Sequence, residues 1–360
     1  MHLAHLRLRN FRNYTRLEVD FAPGGHVLLG ANAKGKTNLL EAVYLLATLR
    51  SFRGAANPQL VRHGQRGYFV GGQVVGQNAS EIKLYWSATE RKLSVNGQPV
   101  RRLADYFGLW RAVVFCTDDL QLVKGSASRR RRFLDLLLCQ THPTYLPQLL
   151  RYLYAVRARN ALLKNSMIDE DALAGFSQEM VAAGEPLIRL RRELAPLLSP
   201  LVRAAYQRMA SEAEEVYLDY RPSAEGDLAV AMAQSRNRER NQHTTVVGPH
   251  RDDLLLLLDG QPVAAFGSEG QKRTLAVALK MAQADYLTEL HGSPPVLLID
   301  DVMGELDRRR RSGLLPMLER SQQSRGQLFL TCTEETWPRE LGRQLTRWQV
   351  HAGALTRLPD

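Results

Sequence analysis

The chain has 360 residues, 44% of them hydrophobic and 24% charged, with 26 glycines and 16 prolines; this is the composition of a soluble globular protein and excludes a disordered or fibrous one. Lysine and arginine outnumber aspartate and glutamate by 48 to 37, a net charge of +11, which favours polyanionic partners. Cys116, Cys139 and Cys332 lie far apart without CxxC or Cys/His spacing, which speaks against a disulfide framework or a zinc site and fits a reducing cytoplasm.

At about 100 to 200 residues per domain, the length predicts two domains. Residues 3–8 and 16–21 alternate polar and apolar like two half-buried strands, with a turn over Asn10 to Tyr14 between them. No signal peptide opens the chain and no 18-residue apolar run occurs, so the expectation is a protein that neither spans membranes nor is exported. His26 to Leu29 reads as a short strand, Gly30 to Thr37 as a glycine-rich loop, and Asn38 to Leu49 as a helix. Short β segments follow from Tyr68 to Val100, ending in a hairpin that turns at Asn96-Gly97, and then a strand at Ala112 to Phe115.

From about Leu120 to Met209 the chain is rich in Leu, Ala and Arg at 3.6-residue spacing, with breaks predicted at Pro143, Gly184 to Pro186, and Pro196. This pattern predicts a helical arm inserted into an α/β domain. A polar stretch with Arg236, Arg238 and Arg240 marks the expected return, followed by a hairpin around Asp259-Gly260 and a helix from about Gly270 to Leu287. The strand Val296 to Ile299, the helix Arg308 to Arg320, the strand Gln327 to Thr331 and a last strand near Trp348 complete the prediction. The domains expected are 1–118 with 243–360, and an inserted arm over 119–242.

Between its strand and its helix, Gly30-Ala31-Asn32-Ala33-Lys34-Gly35-Lys36-Thr37 fits GxxxxGK[ST]. In such a loop the backbone N–H groups curl around a phosphate at the positive end of the helix. Lys36 then reaches the β- and γ-phosphates, Thr37 ligates Mg²⁺, and Asn38 follows in the first helical turn. The apolar strand Val296 to Ile299 ends in two acids. Asp300 is the expected magnesium-shell carboxylate and Asp301, facing elsewhere, the group that orients or deprotonates the attacking water. The long stretch between Lys36 and Asp300 exceeds what small GTPases or nucleotide kinases place there, so a large insertion separates the halves.

Upstream of the acids, Phe266-Gly267-Ser268-Glu269-Gly270-Gln271 resembles the LSGGQ signature of ABC-type ATPases, matching at Ser268, Gly270 and Gln271. Ser268 is also a good helix N-cap, which offers donors and a positive dipole end to an anion. Gly304-Glu305-Leu306-Asp307 looks like the D-loop of the same class, with Asp307 equally able to cap the helix from Arg308. The switch histidine of that class is missing, because the strand at 327 ends in Thr331-Cys332-Thr333.

Leu6-Arg7-Leu8-Arg9-Asn10-Phe11-Arg12-Asn13-Tyr14, the helix start Asn38-Leu39-Leu40-Glu41-Ala42, the blocks Asp118-Asp119-Leu120 and Lys124-Gly125 to Asp135, and Gly248-Pro249-His250-Arg251-Asp252-Asp253 together resemble the RecF family and its SMC-like relatives over nearly the whole chain. The resemblance implies an ABC-type P-loop ATPase head with an inserted helical arm, like an SMC head without the long coiled coil. It implies a weak Mg²⁺-dependent ATPase and a head-to-tail homodimer with ATP between Lys36 of one chain and Ser268 of the other. It also implies binding to single-stranded, gapped or junction DNA, and action with RecO and RecR in loading RecA during repair and replication. Arg12 and Asn13 are then candidate nucleotide contacts, and the glutamine-loop ligand is unassigned, with Gln121 only nearby. Candidate DNA contacts are Arg129, Arg130, Arg131 and Arg132, Arg236 to Arg240, and Arg308 to Arg311, with no base-reading motif among them. His250 is either catalytic support or a buried structural histidine. An ABC transporter ATPase and an RNA-acting P-loop NTPase remain alternatives that keep the site and change the partner.

Overall fold

The computed structural model describes residues 1–76, 78–210, 214–324, 326–333 and 345–359. The chain divides into two compact units, one of Met1–Asp119, Ala204–Ala213 and Thr274–Asp360, the other of Leu120–Arg203 and Glu214–Arg273.

The first unit opens with β1 (His2–Phe11), β2 (Tyr14–Asp20) and β3 (Gly24–Leu29), then α1 (Lys36–Thr48) and α2 (Asn57–Leu60). β4 (Gly67–Val75), β5 (Ala79–Ser87), β6 (Arg91–Val95), β7 (Gln98–Pro99) and β8 (Ala112–Cys116) follow. An antiparallel sheet takes the order β2-β1-β4-β5-β6-β7. Leu3, Leu6 and Leu8 all reach the core, although Leu3 and Leu6 are an odd number of residues apart. A bulge between Leu3 and His5 resolves this, since one extra residue shifts which face the next side chain takes. Asn96 and Gly97 both have positive φ in the β6–β7 turn, as a two-residue hairpin of matching twist requires.

The second unit contains α3 (Leu120–Lys124), α4 (Ala127–Thr141), α5 (Tyr145–Leu162) and α6 (Glu170–Met209). Then come β9 (Val216–Arg221), α7 (Leu228–Gln242), β10 (Asp253–Leu258), β11 (Gln261–Pro262) and α8 (Val263–Phe266). Two expectations change here. α6 continues through Pro186 and Pro196, and through Pro200 as well. Each proline removes an N–H and crowds the preceding turn, but the buried stripe of Leu187, Leu190, Arg191, Leu194, Leu198 and Val202 holds the helix in place. Residues from 243 to Arg273 lie in the second unit and not with the first. β10 pairs antiparallel with β9 along six residues, in a sheet of order β11-β10-β9, and those ladder bonds bind this stretch to the arm. The arm therefore has a sheet that helical periodicity could not show, and Arg236, Arg238 and Arg240 lie on the helix α7.

α9 (Glu269–His291) leads into the last part of the first unit, which holds β12 (Val296–Asp300), α10 (Val302–Glu305), α11 (Arg308–Gln323), β13 (Gln327–Cys332), β14 (Leu345–His351) and β15 (Ala354–Arg357). These strands join β3 and β8 in a sheet of order β15-β14-β3-β13-β12-β8, parallel except at β15. β12 is buried on both faces, as a central parallel strand reads. α1 touches strands of both large sheets and is buried from Leu39 to Thr48. Among the described residues no helix is long and apolar enough to cross a membrane.

His26 is buried in the first unit and His250 is half-buried in the second. His26 Nε2 donates to the Ala22 carbonyl at 2.8 Å while Nδ1 accepts from the Trp348 indole at 3.1 Å. His250 Nε2 donates to Thr245 O at 3.2 Å and Nδ1 accepts from the Tyr152 hydroxyl at 2.6 Å; the structural reading of His250 thus accounts for both ring nitrogens. Burial lowers both imidazoles to about 4. The unfolded chain takes up protons near pH 6.5 that the fold refuses, so stability is fully present above that pH and falls as pH drops toward 4. The slope is roughly 1.4 kcal/mol per pH unit for each histidine, less whatever solvent screening removes. Urea unfolding measured between pH 7 and 4 is expected to show this loss. His26→Gln and His250→Gln should each flatten part of it, and variants as acid-sensitive as the parent chain would contradict the assignment.

Candidate active site

The loop after β3 is shaped by close approaches that exclude side chains. Gly30 has φ 152° and Gly35 φ 114°. A Cβ on Gly30 would stand 2.5 Å from Val350 O, and one on Gly35 would stand 2.5 Å from Asn13 Nδ2, so only glycine fits either place. α1 then begins at Lys36 with no side-chain cap on its N-terminus. A helix start of this kind presents unsatisfied N–H groups and a positive dipole end. The Lys36 ammonium is buried and donates to the carbonyls of Gly30 at 2.5 Å and Ala31 at 3.1 Å, folding the loop around its own cation. Ala31, Asn32 and Ala33 are exposed on the loop, Lys34 is half-buried, and Ala33 adopts a left-handed φ of 64°.

Sheet order brings the acids to this loop. β13 lies between β3 and β12, with Thr331 level with Leu28 on one side and Asp300 on the other. Thr37 Oγ1 donates to Asp300 Oδ1 at 2.9 Å, and Thr331 Oγ1 donates to the same oxygen at 3.0 Å. Burial raises the Asp300 carboxyl and neighbouring Asp301 adds to this, while the two hydroxyls oppose the shift. A hydroxyl and a carboxylate beside an uncapped helix start and a lysine are oxygen donors of the kind Mg²⁺ takes together with phosphate; the residues present fit MgATP. Thr331 was not singled out beforehand. The only signal in the sequence was a strand ending in threonine where the class usually has its switch histidine. Asp301 is exposed, with a left-handed φ of 57° and its N–H bonded to Thr331 Oγ1.

Arg12 and Asn13 stand against the loop and α1. Arg12 pairs with the fully buried Glu41 through Nε and Nη2, both at 2.7 Å, and donates through Nη1 to Gln59 O. Ser51 adds a third donor to Glu41. Three of the five guanidinium N–H groups are thereby held by a buried carboxylate and a backbone carbonyl. Asn13 bonds Lys34 O and accepts from Asn38 Nδ2, while Tyr14 donates to Gly35 O. These three residues brace the loop from behind.

Ser268 caps α9 reciprocally: its hydroxyl accepts from Gln271 N at 3.2 Å, and Gln271 Oε1 accepts from Ser268 N at 2.5 Å. Ser268 is exposed, its hydroxyl proton is free for an anion, and Gln271 also donates to Glu214. Asp307 caps α11 through Arg310 N at 2.9 Å, and this hydrogen bond lowers its carboxyl. After β8, Asp119 accepts from Cys116 N at 2.8 Å. Because Cys116 is level with Asp300, this turn stands at the acidic end of the sheet where the glutamine loop was sought; burial pushes the Asp119 carboxyl up to about 6. Gln121 is exposed. The arginine runs divide: Arg130 is paired with Asp253 at 2.7 Å and Arg131 donates to Asp252 O, whereas Arg129, Arg236 and Arg238 are exposed. Arg309 and Arg310 bond Ala210 O and Asp307.

The antiparallel sheet, the parallel sheet with its loop–helix and acidic strand, and the serine-capped signature helix define a P-loop ATPase head of the ABC type. The family description "RecF/RecN/SMC N terminal domain" matches residues 2–354. A protein of Symbiobacterium thermophilum named DNA replication and repair protein RecF is 39% identical, covering 99% of this chain and 98% of that one. One of the same name from Lacticaseibacillus casei is 36% identical over 99% and 100%. The chain belongs to the RecF family. A solved structure described as the recombination mediator protein RecF with ATP, in the RecFOR pathway, matches with a TM-score of 0.90 at 29% identity, covering 99% and 98%. A Pyrococcus furiosus Smc head shares the fold, with a TM-score of 0.58 at 14% identity over 99% and 96%.

Removing Arg12 tests the brace directly. Arg12→Ala leaves the Glu41 carboxylate buried with one hydroxyl donor, and a loss of about 3 to 5 kcal/mol in urea unfolding is expected. Unchanged stability with weaker nucleotide binding would instead make Arg12 a ligand contact.

Proposed function

We propose that this chain binds ATP with Mg²⁺ and hydrolyses it slowly, using the bound state to hold a head-to-tail homodimer on DNA. In this reading it acts at single-stranded gaps or junctions with RecO and RecR, assisting the loading of RecA in replication and repair. The observation that carries the proposal is the Thr37–Asp300–Thr331 hydroxyl and carboxylate cluster beside the uncapped α1 and buried Lys36. The solved RecF structure with ATP and the full-length relatives named for DNA replication and repair support it, and they favour DNA over a permease or RNA as partner.

MgATP supplies the transferable phosphoryl group and the metal charge that offsets its oxygens. The chain's part is to hold and orient. Gly30 to Asn38 offer backbone donors, and Lys36 exchanges the carbonyls of Gly30 and Ala31 for phosphate oxygens. Thr37 and Asp300 would hold the metal, with Thr331 keeping the Asp300 carboxylate in one orientation. Asp301, exposed beside them, takes the proton of the attacking water. Ser268, Gly270 and Gln271 of the other chain complete the site, with Asp307 beside the join. Arg129 and the exposed arginines of α7 offer sequence-independent phosphate contacts, so DNA retention weakens as salt rises.

Equilibrium nucleotide binding and turnover separate these roles. Lys36→Ala is expected to weaken MgATP binding about ten- to a hundred-fold, as loss of a charge-assisted contact does. Asp301→Asn should keep ATP binding and salt-sensitive DNA retention while turnover falls at least about a hundred-fold. Full turnover in Asp301→Asn would remove it as the base, and MgATP binding undiminished in Lys36→Ala would overturn the site.

A further inference from the structure

The outer face of the antiparallel sheet takes no part in the nucleotide site. Strand pairing arranges its side chains in rows: Arg16, Arg9, Phe69, Tyr85 and Lys92 form one, and Glu18, Arg7, Gly71, Lys83 and Ser94 form the next. The opposite face of the same strands carries Leu6, Leu8, Val70 and Ile82 into the core. Phe69 and Tyr85 are half-buried neighbours on adjacent strands. A Cβ on Gly71 would stand 2.8 Å from Phe69 Cζ, and one on Gly67 would stand 3.2 Å from the Tyr85 hydroxyl. Both rings therefore lie over glycines, across the sheet rather than upright on it.

A cavity of about 350 Å³ opens beside the rings, lined by Arg9, Asn10, Gln65, Arg66, Phe69 and Tyr85. A second, of about 300 Å³, shares Phe69 and is lined also by His5, Arg7, Gln73, Glu81 and Lys83. Arg7 is balanced by Glu18 and Lys83 by Glu81. Arg9 and Arg66 are exposed, and their guanidinium groups make no ion pair or hydrogen bond with any described residue. The larger cavity thus joins an aromatic floor to two unbalanced cations, with no carboxylate in its lining.

We propose that this sheet face is a binding platform for single-stranded nucleic acid, with bases stacked on Phe69 and Tyr85 and phosphates held by Arg9 and Arg66. Stacking needs only a flat π surface and is sequence-tolerant. Neighbouring strands stand about 4.8 Å apart and successive outward residues about 6.6 Å apart, both wider than the ~3.4 Å spacing along a duplex strand. The platform takes bases already separated from one another, which selects single strands over duplex. It rests on the DNA-binding reading above and adds to it a location for the single strand.

The test uses the full chain with oligothymidylate and duplex of equal length. Phe69→Ala with Tyr85→Ala is expected to lower oligothymidylate affinity at least about ten-fold, and Arg9→Glu with Arg66→Glu likewise, while MgATP binding and duplex retention stay as in the parent. Phe69→Leu with Tyr85→Leu keeps apolar volume and should show the same loss, which separates stacking from folding. On the unaltered chain, photo-cross-linking with a 5-bromodeoxyuridine oligomer should map to Phe69 or Tyr85. Unchanged affinity in the leucine variant, or cross-links confined elsewhere, would overturn the platform. Duplex retention without oligothymidylate binding sinks the platform alone, whereas binding to neither DNA sinks it together with the proposed function.

Discussion

Asp300 is a carboxylate almost sealed from water, 9% exposed, at the end of a strand buried on both faces. A buried charge of this kind persists only where donors or cations meet it. The donors come from two different elements, Thr37 at the start of α1 and Thr331 on β13, one residue of each reaching a single oxygen. Two segments almost at opposite ends of the chain are thereby held at one point, and the arm between them is free to be a separate unit. Strand order does the rest, since placing β13 between β3 and β12 is what sets Thr331 beside the acid.

A second buried carboxylate, Glu41, organises the other side of the loop. Its bond to Arg12 ties the β1–β2 turn to α1, which sets Asn13 and Tyr14 against the loop carbonyls and makes Gly35 obligatory there. The glycine pattern of the loop thus has two causes, a place for phosphate and a brace behind it. The arm uses the same device. Arg191, buried in α6, binds Asp135, Tyr145 and Pro249 O, while Asp252 accepts from Ser223 N, so the block at 248–253 is a structural junction within the second unit.

The parts legible in the sequence were those whose cause is local. Positive φ at Asn96-Gly97 and the crowding at Gly30 and Gly35 are written in the residue types themselves, and the apolar run before Asp300 announced a central strand. What could not be read depended on distant partners. The Arg12–Glu41 pair was not legible because its partners stand 29 residues apart. Arg130 and Arg131 looked like a basic patch because their partners, the Asp253 carboxylate and the Asp252 backbone carbonyl, are distant in sequence. The β9–β10 ladder joins segments separated by a whole helix, and the prolines of α6 obeyed the stripe of buried side chains rather than local propensity. Thr331 carries no motif; its role follows only from register.

The claim on which the functional account turns is that the P-loop of one chain works with the signature serine of another. Mixing two defective chains tests it most directly: Lys36→Ala, lacking the phosphate lysine, and Ser268→Arg, with a bulky cation at the signature. Neither alone should form an ATP-dependent dimer or turn over ATP. In a head-to-tail pair, one of the two composite sites of the mixed dimer keeps both an intact Lys36 and an intact Ser268, so mixing is predicted to restore ATP-dependent association in sedimentation and part of the turnover. A mixture as inert as its components, or Ser268→Arg that dimerises with ATP on its own, would contradict the shared site.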